Sequence, residues 1–355
     1  MTDKYILHKD HLLSFLRRIK RNAQLVAPVK NRQGDTLFTE IDGLDKLKID
    51  LANQPQTALK SFFFPPKEVM FTYRSSDADY GFTPVYAGKP TVYFGVRSCD
   101  LSAILYMDVI FLQHGKDPYY LRRRQDSIFI SIGCNDPFAN CFCYATKNGP
   151  FLETGYDLQF TDLGNRFFVE PGRVRGMELI QQLLHFFRPA TEDDIKAQYQ
   201  ISLEARGNFK QRVDVEMAVK RLAADEVPET VFASLSARCQ DCGGCSYICP
   251  TCTCFTITDR AVSADTGERI RTWDACTFSG FTKMAGGHNP VLKPTQAIEK
   301  RFRHKLQHDV AKHGRSSCVG CGRCVDMCFD GVDIVRFINN VCDIELAHEG
   351  DKRFV

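Results

Sequence analysis

Two four-cysteine runs dominate the chemistry open to this chain. Cys239-Gln-Asp-Cys242-Gly-Gly-Cys245-Ser-Tyr-Ile-Cys249-Pro250 has the spacing C-x2-C-x2-C-x3-C-P, and Cys318-Val-Gly-Cys321-Gly-Arg-Cys324-Val-Asp-Met-Cys328 repeats the ligand spacing. Three closely spaced thiolates can hold three irons of one [4Fe–4S] cubane, and the fourth cysteine of such a run ligates the other cluster. The spacing assigns Cys239, Cys242, Cys245 and Cys328 to one cubane and Cys318, Cys321, Cys324 and Cys249 to a second. Gly243, Gly244, Gly320 and Gly322 suit a backbone that wraps a cluster, because glycine permits unusual dihedrals and lets N–H groups face sulfide. Pro250 ends the turn after the first run, whereas Phe329 occupies that place in the second. Zinc would need two Cys-x2-Cys halves a modest distance apart, which two uninterrupted runs do not resemble.

The chain has 16 cysteines, with none before Cys99. Cys99, in Gly95-Val-Arg-Ser-Cys99-Asp100, follows a predicted strand and precedes a helix. Cys134 follows the next strand, and Cys141 and Cys143 come shortly after it in Asn140-Cys141-Phe142-Cys143. Neighbouring parallel strands would bring these four thiols together at their C-terminal ends, where open α/β sheets bind ligands. Four thiolates suffice for a third [4Fe–4S] cluster. Single buried cysteines are commonly inert, but four at adjoining loop positions favour a cluster. Cys252, Cys254 and Cys276 are further candidate donors. They could hold three irons, with His288 or an outside group as the last ligand, or shield the neighbouring clusters as weak S–H donors. The sequence leaves both open. Cys342 reads as a packing residue, and His288 as a hydrogen-bonding residue of a glycine-rich loop. The basic stretches Arg17-Arg18-Ile-Lys20-Arg21 and Lys300-Arg301-Phe-Arg303-His304-Lys305 read as solvated helix faces.

The elements that must position these thiols fall into two regions. Residues 1–190 alternate helix and strand: a helix over His11 to Arg21, strands at Leu25–Val29, Thr36–Ile41, Thr91–Val96 and Ser127–Ile132, and a helix over Leu101–Leu112. That order predicts an α/β (or α+β) layered domain with a partly parallel sheet. A hairpin-like pair follows, Leu158–Thr161 and Arg166–Val169, then a helix over Met177–Phe187. Residues 191–230 form a polar helical linker opening at Thr191-Glu192-Asp193-Asp194. Residues 231–355, rich in Cys and Gly with short helices, form an α-helical ferredoxin domain with two [4Fe–4S] clusters. The 250–317 stretch between the runs is too long for a compact bacterial ferredoxin.

Composition narrows the function. Of 355 residues 44% are hydrophobic and 25% charged, an ordinary balance for a soluble globular protein. A net charge of only +3 does not suggest a nucleic-acid or acidic-membrane partner. The start, Met1 to His11, lacks the apolar core of a signal peptide. No apolar stretch is long enough to span a bilayer. The expected location is cytoplasmic, a reducing compartment in which clustered cysteines ligate metal rather than form disulfides. No G-x-G-x-x-G follows a predicted strand and no Walker A motif is present, so no flavin or nucleotide site of the chain's own is visible. Clusters without a two-electron cofactor move single electrons but cannot accept hydride.

Several segments resemble a known family: Cys249-Pro-Thr-Cys-Thr-Cys-Phe255, Arg271-Thr-Trp273-Asp-Ala-Cys276, Gly280-Phe281 through His288, and Cys318-Val-Gly-Cys-Gly-Arg-Cys324. They are similar to the β subunit of cytosolic sulfhydrogenases, the NAD(P)-linked [NiFe] hydrogenases, and to the related iron–sulfur subunit of the anaerobic sulfite reductases. Gly95-Val-Arg-Ser-Cys99 and Asn140-Cys-Phe-Cys143 fit that family, although Ser98 stands where proline is frequent. The resemblance implies a protein that carries electrons between a flavin/NAD(P)-binding subunit and a catalytic subunit, either a hydrogenase or a sulfite reductase. The alternative from the residues themselves is a reductase acting directly on a sulfur or disulfide substrate at Cys252, Cys254 and Cys276.

Overall fold

The computed structural model describes residues 4–43, 48–75, 79–113 and 115–343. The first residues of the amino terminus and the last twelve of the 231–355 region lie outside that set. The chain divides into two compact units, residues 1–64 with 86–210, and residues 65–85 with 211–355.

The first unit opens with β1 (Tyr5–His8), α1 (Leu12–Lys20), β2 (Gln24–Lys30), β3 (Thr36–Glu40) and the one-turn α2 (Lys60–Phe63). The chain then contributes β4 (Lys67–Ser75) and β5 (Tyr80–Pro84) to the second unit. It returns as β6 (Thr91–Arg97), α3 (Ser98–Leu112), α4 (Pro118–Arg124), β7 (Ser127–Ile132), β8 (Leu158–Asp162), β9 (Arg166–Pro171), α5 (Val174–Gln182), β10 (Phe187–Pro189) and α6 (Glu192–Gly207). Eight strands form one sheet in the order β10-β1-β9-β8-β7-β6-β2-β3. The central pairs β2–β6, β6–β7 and β7–β8 are parallel and the outer pairs antiparallel.

Every residue of β6, Thr-Val-Tyr-Phe-Gly-Val-Arg, is buried, as expected for a central parallel strand covered on both faces. One face packs Phe94, Ile130, Phe160 and Phe167 against Phe15, Leu16 and Ile19 of α1. The exposed side of α1 carries Arg17 and Arg18, matching the solvated face expected there. On the other face Tyr93 and Phe129 stack at 5.4 Å, with the Phe63 ring 5.0 Å from Tyr93. The expected Met177–Phe187 helix is α5 starting at Val174 and stopping at Gln182, followed by a short 3-10 turn, Leu184–Phe186. Leu183 leaves helical geometry there. The helix start at Thr191 is a capping box: its side chain accepts from Asp194 N–H while the Asp194 carboxylate accepts from Thr191 N–H.

The second unit continues with α7 (Val215–Ala223), α8 (Glu229–Ser236), α9 (Gly244–Tyr247), β11 (Phe255–Ala261), β12 (Thr266–Trp273) and α10 (Pro294–Arg303). A π-helical turn, His304–His308, joins α10 to α11 (Asp309–His313), and α12 (Arg323–Met327) and α13 (Ile334–Cys342) follow. Phe302 stacks on Phe337 at 4.3 Å, Phe232 lies 5.6 Å from Phe337, and the backbone carbonyl of Val341 accepts from buried Arg221.

This unit is not helical throughout. Four strands form an antiparallel sheet, β11-β12-β4-β5. Phe255-Thr-Ile257-Thr does carry a strand's alternation, but charged residues dilute it further along. Those charges pair directly across the ladder, Asp259 with Arg269 at 2.7 Å and Arg260 with Glu268 at 2.5 Å. Composition does not reveal that Lys67–Ser75 and Tyr80–Pro84 complete the sheet. Arg271 of β12, buried, donates to Glu68 of β4 at 2.8 and 2.5 Å. Removing the carboxylate alone would strand a buried guanidinium, which costs about 3–5 kcal/mol, whereas an apolar pair of similar volume is often neutral. Glu68→Ala should therefore lower Tm markedly in an anaerobic thermal scan, and Glu68→Leu with Arg271→Met should recover most of the loss.

Candidate metal centres

The two four-cysteine runs share one backbone design. The residue before the second cysteine has positive φ in each, Asp241 at 52° and Gly320 at 65°. So does the residue after it, Gly243 at 70° and Gly322 at 78°, and a short helix starts there in both cases. Two left-handed residues around the second cysteine curl the loop and turn successive N–H groups to its inside, an arrangement that favours anions. Glycine is suited to three of the four places; Asp241 is among the few other residue types that tolerate this region.

The thiols of the two runs interleave. Burial pushes the Cys324 thiol well up, Arg301 pulls it down, and Cys318, Cys321 and Cys249 each push it up further. Cys318 is raised by burial to about 12, with Cys249 and Cys321 among its neighbours. Cys245 is raised by burial, lowered by Arg301, and raised again by Cys276, Cys249 and Cys328. Cys239, raised by burial to about 11, has Cys245 beside it. Cys249 thus lies near Cys318 and Cys324 of the other run, and Cys328 near Cys245, which Cys249 also neighbours. Val332 N–H donates to Cys328 Sγ at 3.1 Å, and Gly331 N–H to Cys328 O at 3.1 Å, which closes the turn without a proline. Phe329 points fully into solvent. Cys242 is exposed, and Cys321 is buried.

The hairpin β11–β12 brings the further cysteines in. Its ladder starts with Phe255 opposite Trp273, and Asp274 N–H donates to Cys254 O at 3.0 Å. Cys254 and Cys276 therefore meet: a hydrogen bond from Cys254 lowers the Cys276 thiol and raises its own. Cys252 contacts Cys249 in the same way, raising Cys252 and lowering Cys249. His288 is exposed on its loop, where its carbonyl accepts from Met284 N–H at 2.8 Å. Cys342 ends α13 and donates to Asp214 O at 3.5 Å.

A second group of thiols lies in the first unit. The parallel pairing of β6 and β7 sets Arg97 opposite Ile132. Cys99 sits in the first turn of α3, just past β6, and Cys134 lies just past β7. Cys141 and Cys143 follow on a loop of tight turns. All four are buried. Donating its proton to Cys141, together with burial, pushes the Cys143 thiol well up, and Cys99, Cys134 and Cys141 add to that. Buried Arg97 donates to Cys134 Sγ at 3.8 Å and to the carbonyl of Leu51, placing a cation beside the thiols. A cavity of about 840 Å³ lined by Asp108, Arg124, Asp157, Arg173 and Arg175 opens near the starts of β7 and β8, and its lining contains no cysteine.

Among the described residues no three His, Cys, Asp or Glu side chains converge on a point that one ion could fill. The thiol groups are defined by burial and mutual charge instead. Their donor chemistry, several soft thiols with backbone N–H groups turned toward them, fits an iron–sulfur cluster.

Contrary to the expectation from composition, the stretch Lys300–Lys305 is not a solvated face, because Arg301 and Lys305 are buried at 3% and 5% exposure. Arg301 donates to Ser246 Oγ at 3.1 Å and Cys245 O at 3.2 Å. Lys305 Nζ lies 3.3 Å from Cys249 Sγ and 3.2 Å from Thr251 Oγ1. The signal in the sequence is their spacing, which puts both in the apolar stripe of Ile298, Phe302 and Leu306.

A Cβ added to Gly149 would sit 2.7 Å from Cys143 Sγ. Gly149→Ala should displace that thiol and lower the iron retained after anaerobic reconstitution. Iron content equal to the unaltered chain would remove Cys143 from the donor set.

Residues 238–332 match the family model of the 4Fe-4S dicluster domain. The chain is 29% identical over 337 residues to a Pyrococcus furiosus protein named sulfhydrogenase 2 subunit beta, covering 94% of this chain and 97% of the relative. Among the described residues no helix is long and apolar enough to cross a membrane. The chain thus carries a 4Fe–4S dicluster domain in its C-terminal part, which supports an iron–sulfur electron-transfer protein, and over nearly all its length it is similar to a sulfhydrogenase beta subunit.

Proposed function

We propose that this chain relays single electrons between a flavin/NAD(P)-binding subunit and a catalytic subunit of one cytoplasmic complex, with no flavin or nucleotide site of its own. The interleaving of Cys249 and Cys328 with the opposite runs carries this reading, since two cubanes held by crossed ligands form a conducting pair rather than isolated structural sites. We assign Cys239, Cys242, Cys245 and Cys328 to one cluster, Cys318, Cys321, Cys324 and Cys249 to another, and Cys99, Cys134, Cys141 and Cys143 to a third in the N-terminal α/β region. The C-terminal region then acts as an α-helical ferredoxin domain to which a β-sheet has been added. A bound [4Fe–4S] cluster supplies one-electron chemistry at a potential set by charge, hydrogen bonds and exposure.

The chain's own residues give the relay a direction in space. Cys321 is buried, whereas Cys242 is exposed. Met327, 40% exposed, packs beside the Cys242–Gly244 loop, and Phe329 projects from the Cys328 turn. An exposed ligand rimmed by apolar side chains suits electron exchange with a docked protein. The relative's name supports a hydrogenase as the terminal subunit; sulfite reductase is the other candidate.

Cys245→Ser should remove one cluster's EPR signal and block electron passage while partner subunits still bind. Cys134→Ser should remove a different signal and leave the dicluster pair intact. Wild-type iron content and turnover in either variant would refute that assignment. Reduction of polysulfide or a disulfide by the isolated chain with an artificial donor would favour direct catalysis at Cys252, Cys254 and Cys276 instead.

A further inference from the structure

Arg301 and Lys305 are one helical turn apart, buried, and among the described residues neither has a carboxylate within ion-pair distance. A buried cation without an anion is strongly unfavourable, so each must be matched by negative charge nearby. Lys305 contacts the Cys249 thiol and the Thr251 hydroxyl, and Arg301 contacts the Cys245 carbonyl and the Ser246 hydroxyl; of these residues the cysteines are the ones that can carry negative charge.

Both contacts fall in the first run, but they divide between the two proposed clusters. Arg301 holds the Cys245 carbonyl and Ser246, in the first run. Lys305 reaches Cys249, which the proposed assignment gives to the cluster of Cys318, Cys321 and Cys324. The chain places both cations on α10 and the π-helical turn after it, a distortion often found at functional sites.

We propose that Arg301 and Lys305 form a cationic bridge between the two cluster sites that sets their reduction potentials. The inference rests on the two-cluster reading above. Each electron that arrives adds negative charge on both sides of the bridge, and a fixed cation stabilises that charge more than it stabilises the oxidised form. Arg301 and Lys305 are positioning residues here: neither carries the electron. They bias the pair toward reduction and offset the repulsion between two reduced neighbours.

The test is an EPR-monitored redox titration of the full chain, with iron and sulfide analysis of each variant. Lys305→Met keeps the length of the side chain and removes its charge; Lys305→Arg keeps the charge. The expected result for Lys305→Met is full cluster content with at least a tenfold lower reduced-to-oxidised ratio at fixed potential. For a one-electron couple that is a downward shift of about 59 mV. Lys305→Arg should stay close to wild type. Unshifted potentials in Lys305→Met with full clusters would overturn the bridge and leave the relay standing. If Lys305→Met loses clusters and Lys305→Arg retains them, the charge requirement is supported. Loss in both would overturn it in favour of shape. A wild-type chain without two cubane signals would end the relay and the bridge together.

Discussion

Negative charge gathered inside a protein must be compensated where it sits. The thiol groups of this chain meet that constraint with buried cations. In the first unit Arg97 lies at Cys134. In the second, Arg301 and Lys305 lie at Cys245, Ser246 and Cys249. A solvated lysine or arginine would contribute little at such distances, because water screens it. The same charge held in a low-dielectric interior acts several times more strongly. The helix that supplies the cations is therefore as much part of the site as the loops that supply sulfur. Its burial is secured by the Phe302–Phe337 stack and by Leu306.

The loops solve a different problem. A cysteine run can surround a cluster only if its backbone curls tightly enough to aim three side chains inward. Positive φ on both sides of the second cysteine achieves this in both runs, and a helix one turn long then fixes the third cysteine. Equivalent geometry at Asp241 and Gly320 shows that the spacing, rather than glycine alone, specifies the loop. The Asp241 carboxylate also accepts from Cys239 Sγ at 3.6 Å, a local contact that glycine could not make.

Most of the chemistry is legible in the sequence because ligand spacing is a local property. Cys99 and Cys134 are also within reach, since two hydrophobic strands flanking a helix predict parallel neighbours, and β6 and β7 pair in that way. What escapes is non-local. No pattern within Lys67–Ser75 says that this strand leaves its sequence neighbours to pair with β12. Arg301 and Lys305 look like surface residues because charge usually means exposure. Weighing the basic run as a block hides the differences within it: His304, between the two buried cations, is exposed, as a solvated face requires.

The long segment between the runs then has a structural reason. A pair of cubanes needs only the cysteine runs, yet residues 250–317 separate them. That stretch contains the hairpin whose first ladder pair is Phe255 and Trp273, and it contains the helix that bears Arg301. The hairpin closes Cys254 onto Cys276, and β4 then braces β12 through the buried Glu68–Arg271 pair. Tyr247, on the short helix within the first run, donates to Trp273 O at 3.3 Å and so ties the run to the hairpin. The insertion thus supplies what the ligand loops cannot supply themselves: a rigid floor of paired strands and two fixed positive charges. The ligand loops alone would need neither; the added sheet and helix bring Arg301 and Lys305 against Cys245 and Cys249.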